Sequence, residues 1–365
     1  MSKTICEDLI KIKRSSACSL HPDTSLFPEE DIFKQIPRTQ YLGSKQKLVR
    51  WILEHLPPCN SILDAFSGSG IVGYELKRIG KRVVCNDFLT SSYYYAEAFV
   101  ENNRITLTED DINFLMSPNH HREDYIERHF TDVFYTREEC QFLDNLHANI
   151  LELKNEYKRD IAYASAVRTC IQKIPGGKFR SNLLKYRDKE FPHYRPKFIK
   201  KIEKTFLYFL KGYNDAVFDN GQKNEAHNEG IFDLLPKVNV DVVYFDPPYG
   251  GSGFDYERDY FFVELFTNYY GQIETFNGKT KTYPVFKESG FNKKSQLRNS
   301  FLKLFERASH IPVWMISYNN RSIPSYDEFI GLIKKFKSRI EHYEKNYAYK
   351  TGNNEALKEY LFVCR

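Results

Sequence analysis

The amino-acid sequence predicts an α/β protein: an open, Rossmann-like sheet interrupted by a long, mainly helical insertion. Three observations predict it. Ser61–Phe66, a glycine loop, Ile71–Ile79 and Lys81–Cys85 read as strand, loop, helix and strand, closed by Asn86-Asp87, which is how a βαβ unit begins. The apolar, β-branched run Val240–Phe245 reads as a buried strand that stops at Asp246-Pro247-Pro248-Tyr249. Between them lie roughly 130 residues of helical pattern, far more than the dozen or so that a crossover needs.

With 365 residues, 41% hydrophobic and 16% aromatic, the chain can hold one large domain plus a subdomain and is not a disordered chain. The N-terminus shows no signal-peptide pattern and no stretch approaches 18 apolar residues, so neither export nor a membrane span is expected. Seven dispersed cysteines without CxxC pairs fit a reducing cytoplasm and offer no zinc spacing. No metal is expected.

Residues 1–36 carry no period and read as an N-terminal arm. Gln46–Leu56 has apolar positions at helical spacing, with Ser44 placed to cap, and Pro57-Pro58 ends it. After the βαβ start, helices are expected at 92–102, 121–130, 137–157, 160–172 and 197–218, with an irregular loop or hairpin at 174–195. Past the second strand, 260–269 and 295–308 read as helices, 311–318 as a buried strand, 326–336 as a helix, and 338–349 and 359–364 as closing strands. The expected division is 37–90 with 222–365 as one sheet domain and 91–221 as an inserted subdomain.

Asp64-Ala-Phe-Ser-Gly-Ser-Gly70 supports two readings as a cofactor loop. Gly68, Gly70 and Gly73 make a G-x-G-x-x-G between strand and helix, with Asp87 at the end of the second strand, which suits a dinucleotide. A glycine turn that only packs the helix is the plainer alternative. Asp64 tilts the reading toward S-adenosylmethionine: a carboxylate there repels a pyrophosphate but attracts an ammonium and a sulfonium. Asp87 would then accept from the ribose hydroxyls.

Asp246-Pro247-Pro248-Tyr249 cannot continue a strand, because proline removes a donor and fixes φ. It instead presents an acceptor, a carbonyl and an aromatic face at a strand's C-terminal end, where open α/β sheets bind ligands. An exocyclic amine on adenine or cytosine is a poor nucleophile, its lone pair being delocalised into the ring. Acceptors on its two N–H bonds, the Asp246 carboxylate and the Pro247 carbonyl, would aim that lone pair at a methyl group, while Tyr249 stacks on the base. A duplex base reaches such a pocket only by flipping out. The same four residues could also be an incidental strand end.

The modest net charge of +5 is unevenly placed. Residues 168–204 hold twelve Lys/Arg against three acids, so the rest of the chain is slightly acidic. Within that stretch Lys178, Phe179, Arg180, Lys185, Tyr186, Arg187 and Arg195 interleave cations and rings as a DNA-facing loop does, and Arg180→Ala and Arg187→Ala are expected to weaken DNA binding. A solvated charged face is the alternative, and it suits 197–204 in part. The segment 251–300, which follows the catalytic turn and carries Tyr256, is read either as a cover for the base or as a loop without chemistry.

At this point the sequence resembles the class α (Dam-like) adenine-N6 DNA methyltransferases of restriction-modification systems. The resemblance rests on Gln40–Lys45 with its tyrosine-x-glycine-x-lysine, on Asp64–Gly70, Asn86-Asp87, Asp233 and Asp246–Tyr249, and on their order around a long insert. It implies a seven-stranded S-adenosylmethionine-dependent methyltransferase sheet with a target-recognition subdomain in the insert. Tyr41 and Lys45 would line the methionine end of the cofactor, and Asp64 with the backbone of Phe66, Ser67, Gly68 and Gly70 would cradle it. Asp87 would hold the ribose, Asp233 would reach the adenine amine, and Phe88 would lie against that ring. The implied partners are double-stranded DNA and a cognate restriction endonuclease, and the implied location is the bacterial cytoplasm, on the nucleoid. Inside the insert the pattern departs from the family, with Gly177-Lys178-Phe179-Arg180 carrying Arg180 in place of an asparagine, so no recognition sequence is transferable. Cytosine N4 or RNA amines remain alternative substrates; a nicotinamide-dependent oxidoreductase and a non-catalytic DNA-binding regulator are the alternatives of other classes.

Overall fold

A computed structural model describes residues 40–179, 184–192, 196–248, 255–278, 281–282, 289–347 and 357–365. The expected arm at 1–36, and the expected site residues Arg180, Arg195 and Tyr249, lie outside the described residues.

Seven strands form one sheet: β1 (Ser61–Asp64), β2 (Arg82–Asn86), β3 (Glu225–His227), β4 (Val242–Phe245), β5 (Val313–Asn319), β6 (Ile340–Tyr347) and β7 (Leu357–Cys364). Their order is β3-β2-β1-β4-β5-β7-β6. The first five are parallel, and β7 runs antiparallel to both β5 and β6. The order reverses at β1, which pairs with β2 on one side and β4 on the other, so the ligand crevice of such a sheet opens beyond the C-terminal ends of β1 and β4. The β1–β4 register sets Ile62 against Val242, Leu63 against Val243 and Asp64 against Tyr244. Asp246, two residues past Tyr244, therefore shares a sheet face with Asp64.

Helices cover both faces. Alternating side chains sort the strands into two cores: Leu63, Val243, Phe245, Trp314, Ile316 and Phe362 pack beneath α9 (Ile231–Leu234), α12 (Leu297–Arg307) and α13 (Tyr326–Ile333). Ile62, Val242, Met315, Leu361 and Val363 face α1 (Val49–Glu54), α2 (Ile71–Arg78) and α3 (Thr90–Ala96), and this core runs on into the inserted helices. Those are α4 (Glu109–Met116), α5 (Tyr125–Phe130), α6 (Arg137–Glu152), α7 (Glu156–Gln172) and α8 (Ile202–Asn214). Helix α7 is buried from Asp160 through Ile171 and packs against α3, α6 and α8, as the axis of a helical layer should.

The chain after the Asp246-Pro247-Pro248 turn forms α10 (Tyr256–Asp259) and α11 (Phe261–Asn268), and α11 packs against α3 and α7. The Glu264 carboxylate accepts from the Thr90 and Ser91 amides at 2.9 and 3.0 Å, satisfying open donors at the start of α3.

Several expected elements differ in extent. The helix expected at 92–102 is α3 followed by one π-helical turn, Glu97–Glu101. The run expected from 137 to 157 ends at Glu152, and Asn155 caps a new helix by accepting from the Lys158 amide at 3.3 Å. The helix expected over 197–218 shortens to α8. Helix α4 and strand β3 were not expected at all. The segment at 174–195 is irregular where it is described, with short 3₁₀ turns at Pro175–Gly177 and Leu184–Arg187.

Candidate active site

A cavity of about 650 Å³ opens at the C-terminal ends of β1, β2 and β4. That volume is in the range of small-molecule and cofactor sites. Its wall joins the segment before α1, the glycine loop and the Asp-Pro-Pro turn: Tyr41, Lys45, Asp64, Phe66, Ser67, Gly68, Asp87, Phe88, Asp246, Pro247 and Pro248 all line it.

The glycine loop is built by its backbone. The Ser67 amide donates to the Asn86 carbonyl at 2.9 Å, and the Gly70 amide to the Ser67 carbonyl at 2.8 Å. Gly70 enters α2 with φ of 73°, a left-handed conformation that glycine adopts without strain. Gly68 has φ of 50°, and a Cβ there would stand 2.9 Å from the Tyr41 ring. The Asp87 carboxylate grips the loop from below, accepting from the Gly68 amide at 2.8 Å and the Leu89 amide at 2.9 Å.

Asp64 is 1% exposed. Its Oδ2 accepts from the Gly73 amide at 3.0 Å, while Oδ1 is buried with no hydrogen-bond partner among the described residues. Burial, reinforced by Asp246 and Asp87, pushes its carboxyl up to about 8. The hydroxyl of Ser67 is likewise buried without a partner. An unsatisfied acceptor and an unsatisfied hydroxyl in one wall are what a bound polar ligand would complete.

Across the cavity the Lys45 ammonium meets Asp246 Oδ1 at 2.9 Å, with 6% and 16% of the two side chains exposed. Tyr41 is clamped above: it stacks on Tyr260 at 4.9 Å and on Tyr256 at 6.0 Å, and its hydroxyl lies 3.1 Å from Ser92 Oγ. The Tyr260 hydroxyl accepts from the Leu42 amide at 2.7 Å. The helices after the catalytic turn thus hold the N-terminal segment in place.

Residues 41–323 match the D12 class N6 adenine-specific DNA methyltransferase family. The chain belongs to this family. It is 33% identical over 339 residues to the type II methyltransferase M2.HphI of Haemophilus parahaemolyticus, covering 90% of this chain and 97% of that protein. It is 25% identical over 356 residues to the type II methyltransferase M.FokI of Planomicrobium okeanokoites, and 25% identical over 351 residues to the modification methylase StsI of Streptococcus sanguinis. In both, 89% of this chain aligns with 52% of the relative, so the chain spans about half the length of those two.

Not every expected residue of this N6-adenine methyltransferase lies in the cavity. Gly70 is part of the loop but does not line the cavity, and Asp233, exposed on α9, is not among its lining residues. Lys178 does line it, 3.6 Å from Asp259. The other basic-segment residues divide. Lys185 is exposed, and its ammonium sits over the Tyr186 and Phe191 rings at 5.6 and 5.4 Å. Arg187 is turned inward onto Glu139, which also binds Lys173 at 2.6 Å. Phe179 is fully buried, edge-on to Phe134 at 5.3 Å and stacked on Phe262 at 5.2 Å. In this structure its ring is core and offers no face to a duplex, a correction to the expected DNA contact: the aromatic layer between the insert and α11 claims it.

Asn319, just past the strand expected at 311–318, lines the same wall as the polar end of that strand should, and so do Tyr244, Arg321 and Glu359, which sequence reading missed. Tyr244 places its hydroxyl 2.7 Å from Ser317 Oγ. Nothing local marked Glu359, which sits third in β7 after Leu357 and Lys358. Among the described residues no cluster of His, Cys, Asp and Glu is arranged to hold a metal ion, and no helix is long and apolar enough to cross a membrane.

Proposed function

We propose that the protein methylates adenine N6 at a specific sequence of double-stranded DNA, with S-adenosylmethionine as donor and the target base flipped into the cavity. The observation that carries this reading is that one cavity is lined by both the glycine loop with its buried acids and the Asp246-Pro247-Pro248 turn. When bound, the cofactor supplies a methyl group activated on a sulfonium. The residues present fit it: Asp64 brings an unsatisfied buried carboxylate oxygen for an ammonium or sulfonium, and the Ser67 hydroxyl beside it is buried with no partner among the described residues. In this reading Asp87 holds the ribose, Phe66 and Phe88 flank the adenine ring of the cofactor, and Tyr41 and Lys45 close the methionine end.

Asp246 and the Pro247 carbonyl accept the two N–H bonds of the target amine, keep its nitrogen pyramidal and direct the lone pair. After transfer the nitrogen carries a positive charge and sheds its proton to Asp246 or to water. Tyr249 would stack on the base. Residues 37–90 with 222–365 then form the catalytic domain, and 91–221 the target-recognition subdomain, with Lys185 and Tyr186 among its DNA-facing residues. A cognate endonuclease is the partner suggested by the type II names of the relatives. The substrate itself argues for work on the nucleoid, in a bacterial cytoplasm.

The test is incubation with methyl-labelled S-adenosylmethionine and genomic DNA lacking N6-methyladenine, followed by digestion to nucleosides. Label in N6-methyldeoxyadenosine is expected. Label in N4-methyldeoxycytidine, or in RNA but not DNA, would redirect the substrate assignment.

A further inference from the structure

A further buried acid shares the cavity with Asp64, Asp87 and Asp246. Glu359 lies on β7, opposite Asn319 of β5 and Lys345 of β6. Strand alternation and register put it on the same sheet face as Asp64 and Tyr244. Its side chain lines the cavity at 3% exposure, and its Oε2 is buried with no hydrogen-bond partner among the described residues. Leaving such an oxygen unsatisfied is costly, so its neighbours explain its presence.

The charged and titratable groups facing it are Lys45 and Asp246, with Tyr244 and Arg321 in the same wall and Lys345 across the strand pair. Burial raises its carboxyl to about 7, Lys45 pulls it down and Asp246 pushes it up, so the three groups sense one another. One ammonium on a flexible stem thus shares this wall with two carboxylates, and it is paired with Asp246 at Oδ1.

We infer that Glu359 is a positioning residue for methyl transfer: it fixes where Lys45 sits, so that the ammonium approaches Asp246 from the Oδ1 side instead of spanning its two oxygens. The inference rests on the proposed role of Asp246 as acceptor of the target amine. Removing the Glu359 charge lets Lys45 slide across Asp246 and compete with that amine. The slide is along Asp246, so Lys45 stays at the methionine end of the cofactor, and Asp64 and Asp87 keep their hydrogen bonds to the Gly73 and Gly68 amides.

The test compares Glu359→Gln with the parent in the full chain, alone and in a Lys45→Met background. Single-turnover methylation of N6-methyladenine-free DNA is measured together with calorimetric affinity for S-adenosylhomocysteine. Glu359→Gln is expected to slow transfer roughly tenfold while the product affinity stays within about twofold. In the Lys45→Met background the same change should alter the rate by less than about twofold, because Glu359 acts through Lys45. An unchanged rate, an equal loss in both backgrounds, or a parallel loss of product affinity overturns the inference. Asp246→Ala separates it from its premise. If that variant retains the rate, the amine-acceptor reading falls and this inference with it; if it is inactive while Glu359→Gln is fully active, only the role of Glu359 falls.

Discussion

Lys45 and Asp246 form a nearly buried ion pair at 2.9 Å that ties the segment before α1 to the turn after β4. A buried carboxylate is oriented by its cation as much as it is neutralised. Lys45→Met should therefore reduce methylation about tenfold or more while leaving DNA affinity unchanged, because the amine meets a less well-aimed acceptor. Initial rates and a DNA-binding titration at one salt concentration check both halves.

Asp64 gives a pH dependence with a definite sign. Its carboxyl rises from 3.8 to about 8 on folding, burial first and Asp246 next among the causes. The folded chain thus keeps a proton that the unfolded chain loses above 3.8, so this contribution to stability is complete at low pH and lost as pH rises toward 8. The Tm without cofactor should fall between about pH 4 and 8 and level off above that, and Asp64→Asn should flatten that fall. A cationic ligand favours the carboxylate, so affinity for S-adenosylmethionine should rise over the same window in the parent and lose that rise in Asp64→Asn. Melting curves and calorimetry at several pH values measure both.

Gly68→Ala combines two penalties. The residue keeps a left-handed φ that costs a side chain roughly 1–2 kcal/mol, and its Cβ would press on the Tyr41 ring at 2.9 Å. Cofactor affinity should drop about tenfold with little change in DNA affinity, as calorimetry and a binding titration can show.

The basic segment gives contrasting outcomes. Lys185→Ala should weaken DNA binding and reduce the salt slope by about 1, as the loss of one exposed ammonium open to a phosphate would. Arg187→Ala should instead lower the Tm, by the loss of a charged hydrogen bond worth about 1.5–3 kcal/mol to Glu139, a cost that Lys173 softens by staying on the same carboxylate. Phe179→Ala should cost about 3–5 kcal/mol as a core truncation.

What the sequence disclosed and what it hid divide along physical lines. Asp64, Gly68 and Asp246 stood out because local chemistry dictates them: a glycine must take a positive φ, and a di-proline must end a strand. Strand β3 was invisible because its three half-buried residues carry no apolar pattern; it is held by backbone pairing to β2 and by the Glu101 carboxylate, which accepts from the Ala226 amide at 2.6 Å. Phe179 and Arg187 misled because charge and aromaticity around them suggested a surface, and only packing against Phe134, Phe262 and Glu139, all distant in sequence, turns them inward. Glu359 lay beyond reach for a related reason: nothing local says which strand will pair with β5. Helix α4 could have been found, since Thr108 and Asp111 make a reciprocal cap on it.

The pairing of Asp64 with Tyr244 across β1 and β4 has a consequence for how the enzyme can change. The separation between the donor side and the acceptor side is a property of one hydrogen-bonded ladder, not of any loop. Residues can be added or lost in the loops joining α4 to α8 without moving either carboxylate relative to the other. A single residue inserted within Ile62–Asp64 or Val242–Phe245 would turn one of them to the opposite face. The inserted helical layer can drift in length in this scaffold while that separation stays put.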